Sequence, residues 1–198
     1  MFDFDGVLVN TLDGSYNIHT ELNPDLSRER FDSWANGNFH EGLQKELDAG
    51  YVVPENFGEK YNANLVTMSI QEILRESVRF LSQKIYLAIV SSTPSRYIDA
   101  FLAKEGVREC FSDIMGADIA KSKVVKIKKL LEMHAIMPEN TVFITDTLGD
   151  MREASDCGVP SIGVLWGQHG RESLEKGDPA AIIEDPRELI GAVESVLQ

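Results

Sequence analysis

Short apolar segments alternate with amphipathic, helix-forming segments along most of this chain. The apolar segments are rich in Val, Ile and Phe and are flanked by turn residues, as is typical of strands buried on both faces. They cover residues 1–4 with 7–9 nearby, 85–90, 141–145, 161–165 and 180–183. Apolar residues at helical spacing lie between the later segments, for example Val124, Ile127 and Leu131. This alternation predicts an α/β fold, in which crossover helices join the strands of a parallel sheet.

One long stretch interrupts the alternation. Residues 12–64 contain no convincing strand, and helical spacing is found there only in patches such as Leu43 and Leu47. We interpret the aromatic residues Trp34 and Phe39 as the core of a small helical unit. The sequence therefore predicts two parts: residues 1–11 and 83–198 form the sheet and its helices, and residues 12–82 form a helical insertion after the first strand.

The charge balance restricts the partners of the chain. Nineteen basic and 32 acidic residues give a net charge of −13, which repels nucleic acid and anionic lipid. Apolar runs are far shorter than the roughly 18 residues of a spanning helix, and an acid already stands at position 3, so neither a membrane span nor a signal peptide is expected. Two cysteines are typical of a reducing compartment. We expect a cytoplasmic protein, either a monomer or a homodimer.

Acidic side chains follow two of the predicted strands. Asp3 and Asp5 lie on one side of the first strand because side chains alternate along a strand, and Gly6 then allows the backbone to turn away. Asp146 and Asp150 follow the third strand. The carboxyl ends of parallel strands meet at one edge of a sheet, where active sites form. Four carboxylates at one edge repel each other unless a cation lies between them, and oxygen ligands of this kind favour Mg²⁺.

Hydroxyl groups follow the second strand. Ser91 and Ser92 precede Thr93-Pro94, a pattern that begins a helix. Hydroxyls and free amides at a helix N-terminus bind phosphate well. Any one of these features alone has a simpler explanation, such as a helix cap or an acid in a first helical turn. Their occurrence at consecutive strand ends indicates a phosphate and metal site.

These residues resemble the motifs of the haloacid dehalogenase-like (HAD) superfamily. The segment FDFDGVLVN resembles its first motif, Ser91 after a hydrophobic strand its second, and Asp146 to Asp150 its fourth. Lys121, about 25 residues before Asp146, resembles the third, and Lys123 is the alternative. The segment GVLWG at 163–167 is similar to one in the phosphoglycolate phosphatase-like branch. The resemblance implies a Rossmann-like core with helices on both faces and a helical cap.

The resemblance also implies a chemistry. Asp3 would be the nucleophile that forms an aspartyl-phosphate, and Asp5 the general acid and base. Mg²⁺ would be held by Asp3, the backbone carbonyl of Asp5, Asp146 and Asp150. Phosphoryl oxygens would be bound by Ser91, Lys121 and backbone amides such as those of Gly6 and Ser92. The expected substrate is a small phosphorylated metabolite.

Two departures leave alternatives open. Only two residues precede Asp3, so we expect a short central strand that holds the nucleophile less firmly. If this strand fails to order Asp3, the chain would be a catalytically silent binding or regulatory protein. A sugar phosphomutase of the same family is disfavoured, because the His expected four residues after Thr11 is replaced by Ser15.

Overall fold

The computed structural model describes all 198 residues and contains five short parallel strands. β1 (Ala88–Val90) pairs with β2 (Asp113–Met115), and β3 (Phe143–Thr145) pairs with β4 (Ser161–Val164), which pairs with β5 (Ala181–Ile183). The first segment of the chain lies between the two groups, where Phe2 forms parallel bridges to Ile89 and Ile144. The resulting order across the sheet is β2, β1, Phe2, β3, β4 and β5.

The short central segment is held from both sides. The amide of Phe2 donates to the carbonyl of Ala88 at 2.8 Å, and the amide of Asp3 donates to the carbonyl of Ile144 at 2.9 Å. In return, the amide of Val90 donates to the carbonyl of Phe2 at 2.9 Å. The predicted first strand is therefore reduced to bridging hydrogen bonds, and these bonds place Asp3 at the centre of the sheet's carboxyl edge.

Helices cover both faces of the sheet. They are α5 (Glu72–Ser82), α6 (Ser95–Lys104), α7 (Lys123–His134), α8 (Leu148–Ser155), α9 (Arg171–Glu175) and α10 (Leu189–Val196). Alternate strand residues point to opposite faces: Ile89 and Ile144 belong to the larger apolar core, whereas Val90 and Phe143 belong to the smaller one. None of the helices combines the length and the apolar character needed to cross a bilayer.

The insertion is helical, as predicted. It contains α1 (Leu12–Thr20), α2 (Arg28–Asp32), α3 (Phe39–Asp48) and α4 (Phe57–Thr67), with a 3-10 helix at Ser33–Asn36. Leu26, Phe31 and Trp34 form its small core, against which Phe39 and Tyr51 pack. We call α1 to α4 the cap.

The structure differs from the sequence predictions at one domain boundary and in one strand. Helix α5 was assigned to the insertion, but it packs against α10 and buries Leu74, Val78 and Leu81 in the same core as Ile89, so it belongs with the sheet. Strand β2 was not predicted at all. Its residues Asp113 and Ile114 are only half-buried, because β2 is an edge strand, and it therefore lacks the apolar run that identified the others.

Candidate active site

The strand ends converge on one cavity of about 190 Å³ between the sheet and the cap. Five of the predicted site residues line it, together with Lys123, which was predicted only as the alternative to Lys121. The predicted five are Asp3, Asp5, Ser92, Asp146 and Asp150. The convergence expected from parallel strand ends is therefore present, and the contacts of each residue show what it can do.

Asp3 is buried and held at both carboxylate oxygens. The amide of Phe4 donates to its Oδ1 at 2.7 Å, and Lys123 Nζ lies 2.8 Å from its Oδ2. Burial raises the pKa of Asp3 well above its ordinary value, because charge is costly away from water, and the ammonium group of Lys123 opposes that shift only in part. The fixed orientation suits a carboxylate that must meet a substrate in one geometry.

Lys123 joins Asp3 to Asp150. Its Nζ lies 2.5 Å from Asp150 Oδ2, which also accepts a hydrogen bond from Thr145 Oγ1 at 2.8 Å. Burial opposes ionisation of Asp150, but Lys123 and the hydrogen bonds to Asp150 outweigh it, so the pKa of Asp150 lies below its ordinary value. Asp150 therefore stays ionised and keeps the ammonium group of Lys123 beside Asp3.

Asp146 carries one unsatisfied oxygen. Its Oδ2 accepts a hydrogen bond from the amide of Gln168 at 2.7 Å, whereas its Oδ1 is buried without any partner. Burial raises the pKa of Asp146 to about 7. A buried polar atom without a partner costs free energy, and a bound cation would satisfy it.

These residues fit a magnesium ion with few protein ligands. No three acidic, His or Cys side chains are arranged around one point in the structure. Mg²⁺ does not require such a cage, because it keeps several waters and binds through one or two carboxylates. Asp3 and Asp146 supply two buried carboxylates, and the free Oδ1 of Asp146 is an available ligand atom.

Asp5 is surrounded by hydroxyl donors. Its Oδ1 accepts from Thr11 Oγ1 and from the phenol of Tyr61, each at 2.5 Å. Its Oδ2 accepts from Thr93 Oγ1 at 2.8 Å and from Ser91 Oγ at 3.4 Å. The donors come from the cap as well as from the sheet, so the orientation of this carboxylate depends on both parts.

Comparison with known proteins identifies the family. Residues 1–164 match the family described as haloacid dehalogenase-like hydrolase. The chain belongs to this family. The phosphoglycolate phosphatase of Synechococcus elongatus is 25% identical over 210 residues, which cover 100% of this chain and 98% of that protein.

Solved structures show the same fold. A predicted phosphoglycolate phosphatase from Haemophilus somnus 129pt has a TM-score of 0.77 at 21% identity, covering 96% of this chain and 95% of its own. A predicted phosphatase from Clostridium acetobutylicum has a TM-score of 0.79 at 18% identity, covering 98% and 96%. These structures confirm the predicted Rossmann-like α/β core, and the family match confirms the predicted superfamily and the hydrolase class.

In this haloacid dehalogenase-like hydrolase, Lys123 and not Lys121 contacts the carboxylates of Asp3 and Asp150. Lys121 precedes α7 and is exposed, whereas Lys123 is the first residue of α7 and points inward. Lys126, on the same helix, is also fully buried and donates to the carbonyl of Ser91 at 2.6 Å. The choice between the two lysines depends on where α7 begins, and spacing along the chain did not predict that it begins at Lys123.

Gly6 and Ser91, which are expected to bind phosphoryl oxygens, do not line the cavity. The amide of Gly6 donates to the carbonyl of Val9, so the loop itself uses it. At Gly6, φ is +74°, and a Cβ would lie 2.6 Å from Asp146 Cγ, so glycine is required for close packing. Ser91 is fully buried, and its Oγ accepts from the amide of Thr93 at 3.0 Å.

Sequence reasoning missed Tyr61 and Gln168. Tyr61 reaches Asp5 from the cap helix α4, and Gln168 reaches Asp146 through its backbone amide. A signal for Tyr61 was present: Phe57, Tyr61 and Leu65 recur every four residues and so share one face of a helix. No comparable signal exists for Gln168, because a backbone donor has no side-chain signature.

Proposed function

We propose that this hydrolase cleaves a small phosphomonoester through a phosphorylated Asp3. The observation that carries the proposal is Asp3 itself, buried at the cavity with one oxygen on the Phe4 amide and the other on Lys123. The family, and the relatives named as phosphoglycolate phosphatases, support a phosphoric monoester as substrate. The cavity of about 190 Å³ lies below the roughly 300 Å³ of ordinary ligand pockets, which favours a small ester.

The residues divide the reaction into two displacements. A carboxylate oxygen of Asp3 attacks phosphorus, a P–O bond forms to Asp3, and the P–O bond to the alcohol breaks. Asp5 gives its proton to the departing alkoxide oxygen. In the second step Asp5 takes a proton from water, whose oxygen attacks the aspartyl-phosphate and releases inorganic phosphate and free Asp3. Acid–base assistance of this kind contributes about 10²- to 10⁴-fold in rate.

Lys123 and the carboxylates prepare the cavity for a charged phosphoryl group. Mg²⁺ would be held by Asp3, Asp146 and the backbone carbonyl of Asp5, with Asp150 beside it, and would supply neutralisation of the phosphoryl charge. Lys123 can donate to a phosphoryl oxygen from its position beside Asp3. Ser92 and Thr93 line the same cavity at the start of α6, where hydroxyls suit phosphate.

Replacement of Asp3 tests the proposal. Wild-type protein with Mg²⁺ should release phosphate from 4-nitrophenyl phosphate, and the isosteric variant Asp3→Asn should not, because an amide cannot act as the nucleophile. Circular dichroism and thermal unfolding should show that the variant remains folded. Retained turnover in Asp3→Asn would exclude Asp3 as the nucleophile, and no release by the wild type from a broad panel of esters would contradict the phosphatase assignment.

A further inference from the structure

The cap side of the cavity is apolar. Leu12 at the start of α1, Phe31 and Phe39 from the cap core, and Phe57 from α4 all line it, and Tyr97 of α6 completes the wall. The acidic side chains Asp3, Asp5, Asp146 and Asp150 lie on the opposite side, at the strand ends. A phosphomonoester placed with its phosphoryl group at Asp3 would therefore extend its organic part toward the aromatic wall.

The cavity offers no free cation to that organic part. Among its 21 lining residues, Lys123 is the sole cationic side chain, whereas Asp3, Asp5, Asp146 and Asp150 are acids. Lys123 already contacts Asp3 and Asp150 at 2.8 and 2.5 Å and so serves the phosphoryl end. A second anionic group on the substrate would lose its water without gaining a counter-charge, which disfavours binding.

The volume of the cavity limits the organic part of the substrate to a modest size. An apolar cavity of about 150 Å³ can hold benzene, so about 190 Å³ accommodates a phosphoryl group together with a short or branched carbon chain. Ser15 is a neutral polar group on the lining that can accept or donate a hydrogen bond, and Thr11, whose hydroxyl donates to Asp5, can accept one. The lining therefore suits neutral polar groups on the organic part of the substrate and disfavours a second anionic group there.

We propose that the substrate is the phosphate ester of a small uncharged alcohol with an apolar body, and that esters carrying a carboxylate are discriminated against. This inference rests on the proposed phosphatase function. The proposed substrate differs from the one in the names of the relatives, because phosphoglycolate bears a carboxylate one carbon from the ester oxygen. The discrimination comes from the aromatic wall of the cavity and from Lys123, whose contacts with Asp3 and Asp150 leave it unavailable to a second anionic group.

A matched set of substrates tests the inference. We would compare kcat/KM for 2-phosphoglycolate, for its neutral amide and for isobutyl phosphate, three esters of nearly the same shape. We expect the amide and isobutyl phosphate to exceed 2-phosphoglycolate by about 100-fold, the order of an uncompensated charge in a binding site. A ratio below about tenfold would overturn the substrate class while leaving the phosphatase function intact, and hydrolysis of none of the esters would overturn both.

A cation introduced into the cavity should reverse part of the preference. Ser15→Lys places an ammonium group on the lining from α1, and Asn17→Lys adds the same charge at an exposed position of the same helix, outside the cavity. Ser15→Lys should raise kcat/KM for 2-phosphoglycolate relative to its amide by about tenfold, whereas Asn17→Lys should leave the ratio unchanged. An equal shift in both variants would mean that long-range charge, and not the lining, sets specificity.

Discussion

The phenol of Tyr61 donates a hydrogen bond to Asp5 Oδ1 at 2.5 Å, across the junction between the cap and the sheet. Burial, followed by the charge of Asp5, raises the pKa of Tyr61 well above its ordinary value, so the phenol remains a donor. Thr93 Oγ1, which donates its proton to Asp5 Oδ2, lies 3.2 Å from the same phenol oxygen. A residue of the cap thus fixes the carboxylate that we assign to proton transfer.

Removal of this phenol should impair proton transfer more than phosphoryl binding. We expect Tyr61→Phe to lower kcat about tenfold, since a hydrogen bond to a charged group contributes about 1.5–3 kcal/mol. The loss should be larger for alkyl phosphates, whose leaving groups need a proton, than for 4-nitrophenyl phosphate. Tyr16→Phe removes a cap hydroxyl that donates to the Leu26 carbonyl and should show no such dependence. Equal losses for both leaving groups would count against positioning of Asp5.

Lys123 and Lys121 provide a matched pair of variants. Lys123→Ala leaves two buried carboxylates without their cation, which costs about 3–5 kcal/mol in folding stability for a broken buried pair and should abolish measurable turnover. Lys121→Ala changes an exposed side chain and should stay within about 0.5 kcal/mol of the wild type. Urea unfolding and phosphate release measure both effects. A larger effect at Lys121 would refute the assignment of the buried lysine.

The metal site can be tested by thermal unfolding and by activity assays. Mg²⁺ should raise Tm of the wild type, because a ligand that binds the folded state stabilises it, and Asp146→Asn should remove most of that increase. Asp156→Asn changes an exposed acid and should keep it. In activity assays Ca²⁺ should inhibit, because its looser coordination misplaces the attack. Equal rates with both ions, or a full Mg²⁺ effect in Asp146→Asn, would contradict the site.

Gly149 controls how closely the cap approaches α8. A Cβ there would lie 2.6 Å from the carbonyl carbon of Gly37 and 2.7 Å from the carbonyl oxygen of Ala35, both in the cap backbone. Gly149→Ala should therefore hold the cap away and raise KM by about tenfold or more, since misplacement of about 1 Å can cost 10²-fold. Gly191→Ala, in helix α10 with open space around it, should leave KM unchanged. An unaltered KM in Gly149→Ala would show that closure tolerates the methyl group.

His19 should make the cap sensitive to acid. It is buried against Phe31, Trp34 and Phe57, and burial lowers its pKa to about 4 from an ordinary value near 6.5. The unfolded chain therefore takes up the proton first as pH falls, so stability is complete above about pH 6.5 and is lost progressively toward pH 4.

The loss assigned to His19 is up to about 3 kcal/mol, since one pKa unit corresponds to about 1.36 kcal/mol. His19→Phe should flatten the dependence of the unfolding free energy on pH over this range. His134→Gln alters an exposed imidazole and should not flatten it. A profile for His19→Phe parallel to the wild type would exclude His19 as the source.

The sequence predicted the parts of the site that lie next to strand ends. Asp3, Asp146 and Asp150 follow buried apolar segments, and the topology of a parallel sheet brings such positions together. It did not predict contacts that depend on where a helix begins or on which face a cap helix presents. Lys123 and Tyr61 are of this kind, because one residue of shift along a helix turns a side chain by about 100°.

The junction at Phe2 links stability to chemistry. Phe2 forms the β-bridges that connect the β1–β2 pair to the three remaining strands, and the next residue is Asp3. Loss of the hydrogen bonds at Phe2 would let the two halves of the sheet separate and would at the same time displace the carboxylate of Asp3. Substitutions that weaken the junction at Phe2 should consequently reduce activity at temperatures where the outer helices are still folded.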